Sequence, residues 1–425
     1  MNQPKLRFKA DDGTKFPDWG KNNFSDVFDS INNSTFSRDC LNYVDGNVKY
    51  IHYGDILTTF DSTVNVEASN VPYVNKDIDC QKYQLLADGD IIVADTAEDD
   101  TVGKAVEIVN VSNVKVISGL HTIACRPKLK FTSGYLGYYM NSNSYHNQLH
   151  PYMQGIKVTS ISKANIALTN ISIPSLPEQQ KIASLFTELD TLIQSAEKEL
   201  EGYRELKRGM LQKMFPKKSE LVPEIRFPEF SGEWKKYELG DVLNDMYNGQ
   251  TPSRSKPNYW NGDVKWLSSG ELNRQTVYDS IESITEEGRK SANLRIIPKG
   301  TFVMAITGLE AAGTRGNCAL LGFNTTLNQS CMALFPNENL LTTKFLFQWY
   351  KNVGEEYGIT YTQGTKQRSY NAQLLEILPI SLPTIKEQNK ITCLLEEIDN
   401  LIASQQQELD GYKELKKGLL QQMFC

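Results

Sequence analysis

Over residues 178–215 apolar positions recur at steps of three and four: Ile182, Leu185, Leu189, Leu192, Ala196, Tyr203, Leu206 and Met210. That period predicts one long helix with a coiled-coil seam. The same rhythm returns at Ile391, Leu394, Ile398, Leu401, Tyr412, Leu415 and Leu419. Pro177 stands where a missing N–H costs little, and Glu178 sits in the first turn near the positive end of the helix dipole. Lys207, Arg208 and Lys213 crowd the C-terminal end, as the dipole favours, and Pro216 stops the helix. A helix of 38 residues would extend about 57 Å. Elsewhere the pattern shortens to β-rich runs such as DIIVA, AVEIV, VKVIS and FVMAI, broken by Gly, Asn, Asp and Ser turns. The stretch KFLFQWYKNVGEEY at 344–357 reads as a helical patch. These signals predict α/β (α+β) globular domains joined to long helices.

The two helical stretches are one sequence written twice. From Glu178 to Phe215 against Glu387 to Phe424, about 22 of 38 positions are identical at a constant offset of 209. Each half opens alike, with PKLRF at 4–8 and PEIRF at 223–227, followed by Trp19 and Trp234. Weaker echoes lie between. VKYIHYGDI at 48–56 resembles VKWLSSGEL at 264–272, and LLADGDIIVA at 85–94 resembles IIPKGTFVMA at 296–305. MQGIKVTSIS at 153–162 resembles TQGTKQRSYN at 362–371, again at offset 209. The chain therefore reads as a tandem duplication, with a polar, Pro-bounded linker at 216–224. The domain layout expected is 1–176, a long helix at 177–215, the linker, a second domain at 225–384 and a second long helix at 385–425.

Gly202 and Gly209 lie inside the first helix, and Gly411 and Gly418 repeat them in the second. A mid-helix glycine costs roughly 1 kcal/mol against alanine. Retaining both in both copies, seven apart on one face, points to close approach of another helix. The alternative is a kink near the helix end. Tyr203, Leu206, Tyr412 and Leu415 flank the same face as packing or docking candidates.

Composition narrows the functional classes. A chain of 425 residues exceeds one typical core. No apolar run approaches the roughly 18 residues of a membrane span, and MNQPKLRFKADDG lacks the apolar stretch of a secretory signal. Seven cysteines without a C-x-x-C pair suit reduced thiols and a cytoplasmic setting. A net charge of −6 counts against a generic nucleic-acid binder, so a DNA-binding role would need local basic clusters or a basic partner.

Catalytic signatures are missing. There is no P-loop, no Rossmann glycine fingerprint, no H-E-x-x-H and no G-x-S-x-G. His146 and His150 are four apart, but no third ligand stands nearby, so a loop or surface helix is the better reading. PEFSGEWKK at 228–236 only faintly resembles a carboxylate–Lys nuclease arrangement, and it coincides with the opening of the second half. What remains is hydrogen-bonding loops. TPSRSKPNYWNG at 251–262 carries Arg254, Lys256, Asn258 and Tyr259, and QGTKQRSYN carries Gln363, Thr365, Lys366, Gln367 and Arg368. The first half keeps Gln154 and Lys157 at the matching place. Such side chains pair with base edges, and glycine lets backbone approach phosphate. Ordinary solvated loops are the plainer reading of any one of them. Recurrence of Lys157 as Lys366 suits a shared phosphate contact.

Variable domain, helix ending in G-Y-x-E-L-K-x-G-x-L-Q-x-M-F, second variable domain and the same helix again resembles the specificity subunit of type I restriction–modification systems. The resemblance spans essentially the whole chain. Its most specific marks are PEQQKIAS at 177–184, KEQNKITC at 386–393 and the paired tails. Lys386 stands where the pattern expects Pro, a mild departure. The resemblance implies two target-recognition domains, each reading one half of a bipartite asymmetric DNA target. It implies two long antiparallel helices in a coiled coil, with a pseudo-twofold internal repeat, that hold the domains apart. Helix length would set the unread spacer. Two modification (methyltransferase) subunits would dock on the helices, and restriction (translocase and nuclease) subunits would then join. S-adenosylmethionine, ATP and Mg would belong to those partners, in a bacterial or archaeal cytoplasm. This chain would be non-catalytic alone. Two other readings compete: a coiled-coil adaptor with two ligand-binding domains that does not read DNA, and a self-contained restriction enzyme. The latter would need an N-P-P-Y-type motif and a nucleotide-binding fold, and 425 residues leave no room for them.

Overall fold

The computed structural model describes residues 3–155, 157–218, 220–311, 313–364 and 367–425. The chain forms two compact units, and each draws on both sequence halves. Residues 1–198 with 407–425 make the first, and 199–406 make the second.

The first unit is built on a five-stranded sheet in the order Phe28–Ile31, Thr122–Pro127, Ile91–Ala94, Ala105–Val109, Thr63–Asn65. All neighbours are antiparallel except the last pair. The runs DIIVA and AVEIV thus become its two central strands, and both lie almost wholly buried. Continuous apolar runs of this kind are what a strand covered on both faces requires. Gly20–Asn23 pairs antiparallel with Asn170–Ile173 in a separate ribbon that leads into the first long helix. A four-stranded sheet, Val116–Ser118, Lys49–Ile51, Tyr73–Val74, Leu41–Asn42, completes this unit's larger sheets.

The second unit repeats the frame. Its five strands run Leu243–Asn248, Cys331–Pro336, Phe302–Ala305, Cys318–Leu321, Thr276–Val277, again antiparallel up to a parallel last pair. The ribbon is Lys235–Glu238 with Pro379–Leu382. The patch around 344–357 is the helix Thr343–Thr360, capped by the Thr342 hydroxyl accepting from the Phe345 N–H. The smaller sheet differs. Here it has three strands, Glu282–Ile284, Trp260–Leu267 and Thr326–Leu327. The repeated frame and the divergent smaller sheet are the structural form of the duplication.

The long helices are Leu176–Lys213 and Ile385–Gln422. Within each unit, the first part of one packs antiparallel on the last part of the other. In the first unit Lys413 meets Glu197 and Lys416 meets Asp190; in the second, Arg204 donates to Gln406 and Lys207 to Asp399. The seam follows the predicted spacing at Ile182, Leu189, Ala196, Ile391 and Ile398 and departs from it elsewhere. Leu192, Leu206, Leu401 and Leu415 are 42–50% exposed. The buried positions are Ile182, Phe186, Leu189, Ala196 and Leu200, and Ile391, Leu395, Ile398 and Leu409. A helix that packs on a globular domain as well as on a second helix needs a wider stripe than an a/d seam.

The repeated motifs at the helix ends are structural joints. Glu178 is fully buried and takes two bonds from the Arg7 guanidinium, at 2.7 and 2.9 Å, and one from the Trp19 indole at 3.2 Å. Glu387 takes the equivalent pair from Arg226, at 2.7 and 2.8 Å. The next residue clamps the domain: Gln179 accepts from the Thr132 N–H and donates to the Pro174 carbonyl. Gln388 accepts from Thr342 N–H and donates to the Leu340 and Pro383 carbonyls. At the other helix end, the Met-Phe of one half's tail enters a globular core. Phe424 lies among Trp19, Tyr135, Tyr139 and Phe186, with ring centroids 5.8–6.4 Å apart. Phe215 lies against Trp234 and Phe345. The last helical carbonyls accept from the opening segments, Leu6 N–H to Gln422 and Ile225 N–H to Lys213, both at 2.9 Å. The tail is thus written twice because each unit needs one such plug.

Candidate nucleic-acid interface

One loop recurs in the same place in both units. Gln154 and Ser160 exchange backbone hydrogen bonds at 3.0 and 2.8 Å, and Gln363 and Ser369 do so at 3.0 and 2.9 Å. Each pair closes a tight hairpin that starts Gln-Gly. Gly155 has φ +127° and Gly364 φ +102°, and an added Cβ would lie 1.8 Å from the Val158 carbonyl oxygen and 2.1 Å from that of Gln367. Only glycine fits these sites. Both hairpins dock where a central strand of the large sheet ends. Thr159 and Ser160 pair with Ala97 and Thr96, just past the strand Ile91–Ala94, and Ser369 bridges Thr307, just past Phe302–Ala305.

The hairpins present the residues singled out in the sequence unevenly. Gln154, Lys157, Gln363 and Gln367 are exposed. Arg368 is half-buried and tied back, its guanidinium donating to the Ile359 carbonyl at 2.6 Å. Thr365 and Lys366 lie outside the described residues.

The loop at 251–262 is held by its own neighbours. Arg254 pairs bidentately with Glu282 and lies over the Trp260 ring at 3.6 Å and the Trp266 ring at 5.1 Å. The carboxylate raises the guanidinium pKa above its ordinary value, chiefly through the hydrogen bond, so the charge is fixed. Lys256 donates to the Tyr259 hydroxyl at 3.1 Å, and Asn258 donates to the Glu287 carboxylate at 3.0 Å. Tyr259 is itself buried, with its carbonyl accepting from the Thr285 N–H. The group forms an exposed guanidinium stacked on aromatic faces, with its fork already engaged by the Glu282 carboxylate. Sequence reading placed Arg254 here but missed Trp266 and Glu282, which lie outside the loop. The signal available was Trp260 and Trp266 on one alternating run, WNGDVKWL.

His146 is half-buried and its Nε2 contacts the Val102 carbonyl at 2.9 Å, with burial lowering its pKa. That ring is committed to local packing. On the long helices, Gly202 and Gly411 are exposed, and Gly209 and Gly418 partly so. A Cβ at any of the four meets nothing within 4 Å among the described residues. Among the described residues, no other helix closely approaches them. Tyr203 and Tyr412 are half-buried beside them, and Leu206 and Leu415 stand exposed. Each helix tail therefore offers an open face of glycine, tyrosine and leucine.

The sequence matches the family model described as the type I restriction modification DNA specificity domain twice, over residues 17–202 and 231–411. Among similar proteins is the EcoR124I/EcoR124II specificity subunit of Escherichia coli, 29% identical over 195 residues, covering 45% of this chain and 47% of that one. Another is the StySPI specificity subunit of Salmonella potsdam, 23% identical over 399 residues, covering 90% and 83%. Of solved structures, the S subunit of a type I restriction–modification system from M. genitalium superposes with a TM-score of 0.59 at 13% identity, over 100% of this chain and 99% of the other.

Proposed function

The chain belongs to the type I restriction–modification DNA specificity family, its function is recognition of DNA sequence, and from that premise we propose how the task is divided. Each unit reads one half of a bipartite, asymmetric duplex target. The long helices set the unread spacer and dock two modification subunits on their open faces, and restriction subunits join that assembly. The chain itself is non-catalytic, and S-adenosylmethionine, ATP and Mg work in the partners.

The observation that carries this reading is the Gln-Gly hairpin, built the same way at the end of a central strand in each unit. A shared hairpin beside a dissimilar smaller sheet is what two modules need if both grip the same backbone but read different bases. Gln154, Lys157, Gln363, Gln367 and Lys366 are assigned to the hairpin side of the contact. Arg254, Lys256 and Asn258 are assigned to reading by the second unit. An acidic chain can do this because basic partners share the neutralisation of phosphate.

The test is a filter-binding or gel-shift assay with the chain co-expressed with its methyltransferase. Sequence-specific retention of duplex DNA by the complex is expected. Binding indifferent to sequence would refute the reading and favour an adaptor.

A further inference from the structure

The two helix pairs share a buried polar joint, and the joints differ in one respect. In the first unit Lys416 pairs with Asp190, and the second carboxylate oxygen accepts from the Tyr138 hydroxyl at 2.8 Å. One ammonium meets one carboxylate, closed by a neutral group. In the second unit the matching pair is Lys207 with Asp399, but the third member is Lys351, 3.7 Å from the other carboxylate oxygen. Here two ammonium groups share one carboxylate. Both lysines are largely withdrawn from solvent, with side chains 12% and 9% exposed.

This joint forms the wall of a cavity of about 340 Å³ that is also lined by Arg204, Arg208 and Arg274. Among the described residues, the carboxylates paired with these cations are fewer than the cations. Arg204 donates to the neutral Gln406 amide at 3.1 Å, and the carboxylates paired with Arg204 and Arg208 are exposed ones on their own helix, Glu201 at 3.8 Å and Glu205 at 3.6 Å. Arg274 reaches Glu355 at 3.6 Å, and Glu355 is already bound by Arg315 at 3.0 Å. Burial, and then the Lys207 ammonium, pull the Lys351 pKa down to about 8, the response of a cation short of counter-charge.

We propose that the cavity of the second unit is an oxyanion site, in which Lys207, Lys351, Arg204, Arg208 and Arg274 converge on one phosphate-class group. In the first unit the second oxygen of the matching aspartate is met by the neutral Tyr138 hydroxyl, where in the second unit it is met by Lys351. The group can come from free phosphate or from a DNA backbone, and the chemistry of capture is the same. The inference does not rest on the proposed division of DNA reading.

The full chain is unfolded thermally in inorganic phosphate at millimolar concentrations, with chloride balancing ionic strength. Phosphate is expected to raise the midpoint of the second unit by about 2–4 °C. Lys351→Met should abolish that rise and leave the midpoint in chloride no lower than in the parent, since Lys207 and Asp399 then pair as Lys416 and Asp190 do. Arg208→Gln, an exposed change, should diminish the rise, and Lys417→Gln, its counterpart in the first unit, should not. A response that survives in Lys351→Met, or phosphate acting no differently from chloride, overturns the site. A second arm identifies the source. In the complex with methyltransferase, a DNA-derived phosphate makes the slope of log K against log salt shallower by about one in Lys351→Met. An unchanged slope with the phosphate response lost assigns the site to free phosphate.

Discussion

The Glu–Gln pair at the start of each long helix is where single residues decide most. Glu178 and Glu387 are buried anions whose charge is met by one bidentate arginine each. Removing the arginine strands a carboxylate away from water, so Arg7→Ala is expected to cost about 3–5 kcal/mol. Calorimetry or chemical unfolding of the chain would show it as a lowered midpoint for the first unit. Arg7→Lys should recover little, because an ammonium cannot replace the fork. A second buried acid acts through pH. Glu107 accepts from the Gly134 and Gly137 N–H groups at 2.7 and 3.0 Å, yet burial outweighs them and lifts its pKa from 4.5 to about 7. The folded value lies above the unfolded one, so the protonated form is favoured by folding. The contribution is complete below about pH 4.5 and is lost as pH rises through 7, on the order of 3 kcal/mol in all. Midpoints measured from pH 5 to 8 should therefore fall in the parent with a component that Glu107→Gln lacks. The motifs P-x-x-R-F and E-Q-x-K-I were visible as repeats in the sequence. That they meet each other was not, because 171 residues separate Arg7 from Glu178 and only the fold brings them together.

At the scale of elements, the long helices were legible in their length, ends and antiparallel pairing, and the full set of residues that turn inward was not. The 3–4 spacing is satisfied by Leu192 and Leu206 as well as by the buried set, and a periodicity cannot say which of two adjacent stripes turns inward. In each unit, exposed leucines and open glycines on the long helices are left uncovered at the described residues. That separates two roles in one experiment. Gly202→Leu with Gly411→Leu should stabilise the isolated chain by about 0.5–1 kcal/mol per site, since helix propensity improves and nothing is struck. The same variant should bind its methyltransferase more weakly, read by size-exclusion of the complex. Unchanged assembly would remove the glycines from the docking face. Insertion of four residues into the first long helix, between the charged contacts of the two units, adds about 6 Å. The unread spacer of the target should lengthen by about two base pairs, or recognition should be lost; a methylated site with its original spacer would refute the ruler.

Over the whole molecule, duplication explains why so much could be read from one sequence. Two copies of a frame mark their shared positions against each other, so the long helices, one central strand of each five-stranded sheet and the Gln-Gly hairpins announced themselves as echoes. The smaller sheets share one echo, VKYIHYGDI with VKWLSSGEL, and otherwise their strand numbers and orders differ between the units. The same holds for Arg254, whose stacking on Trp266 and pairing with Glu282 depends on strands brought side by side. The central claim is that this one chain dictates a two-part DNA sequence for a methylating complex. Single-molecule methylation sequencing of host DNA, with and without the chain, tests it most directly. The account predicts one bipartite, asymmetric motif with a fixed unread spacer, methylated only when the chain is present. Methylation of the same motif in its absence, or a single continuous motif, would contradict it.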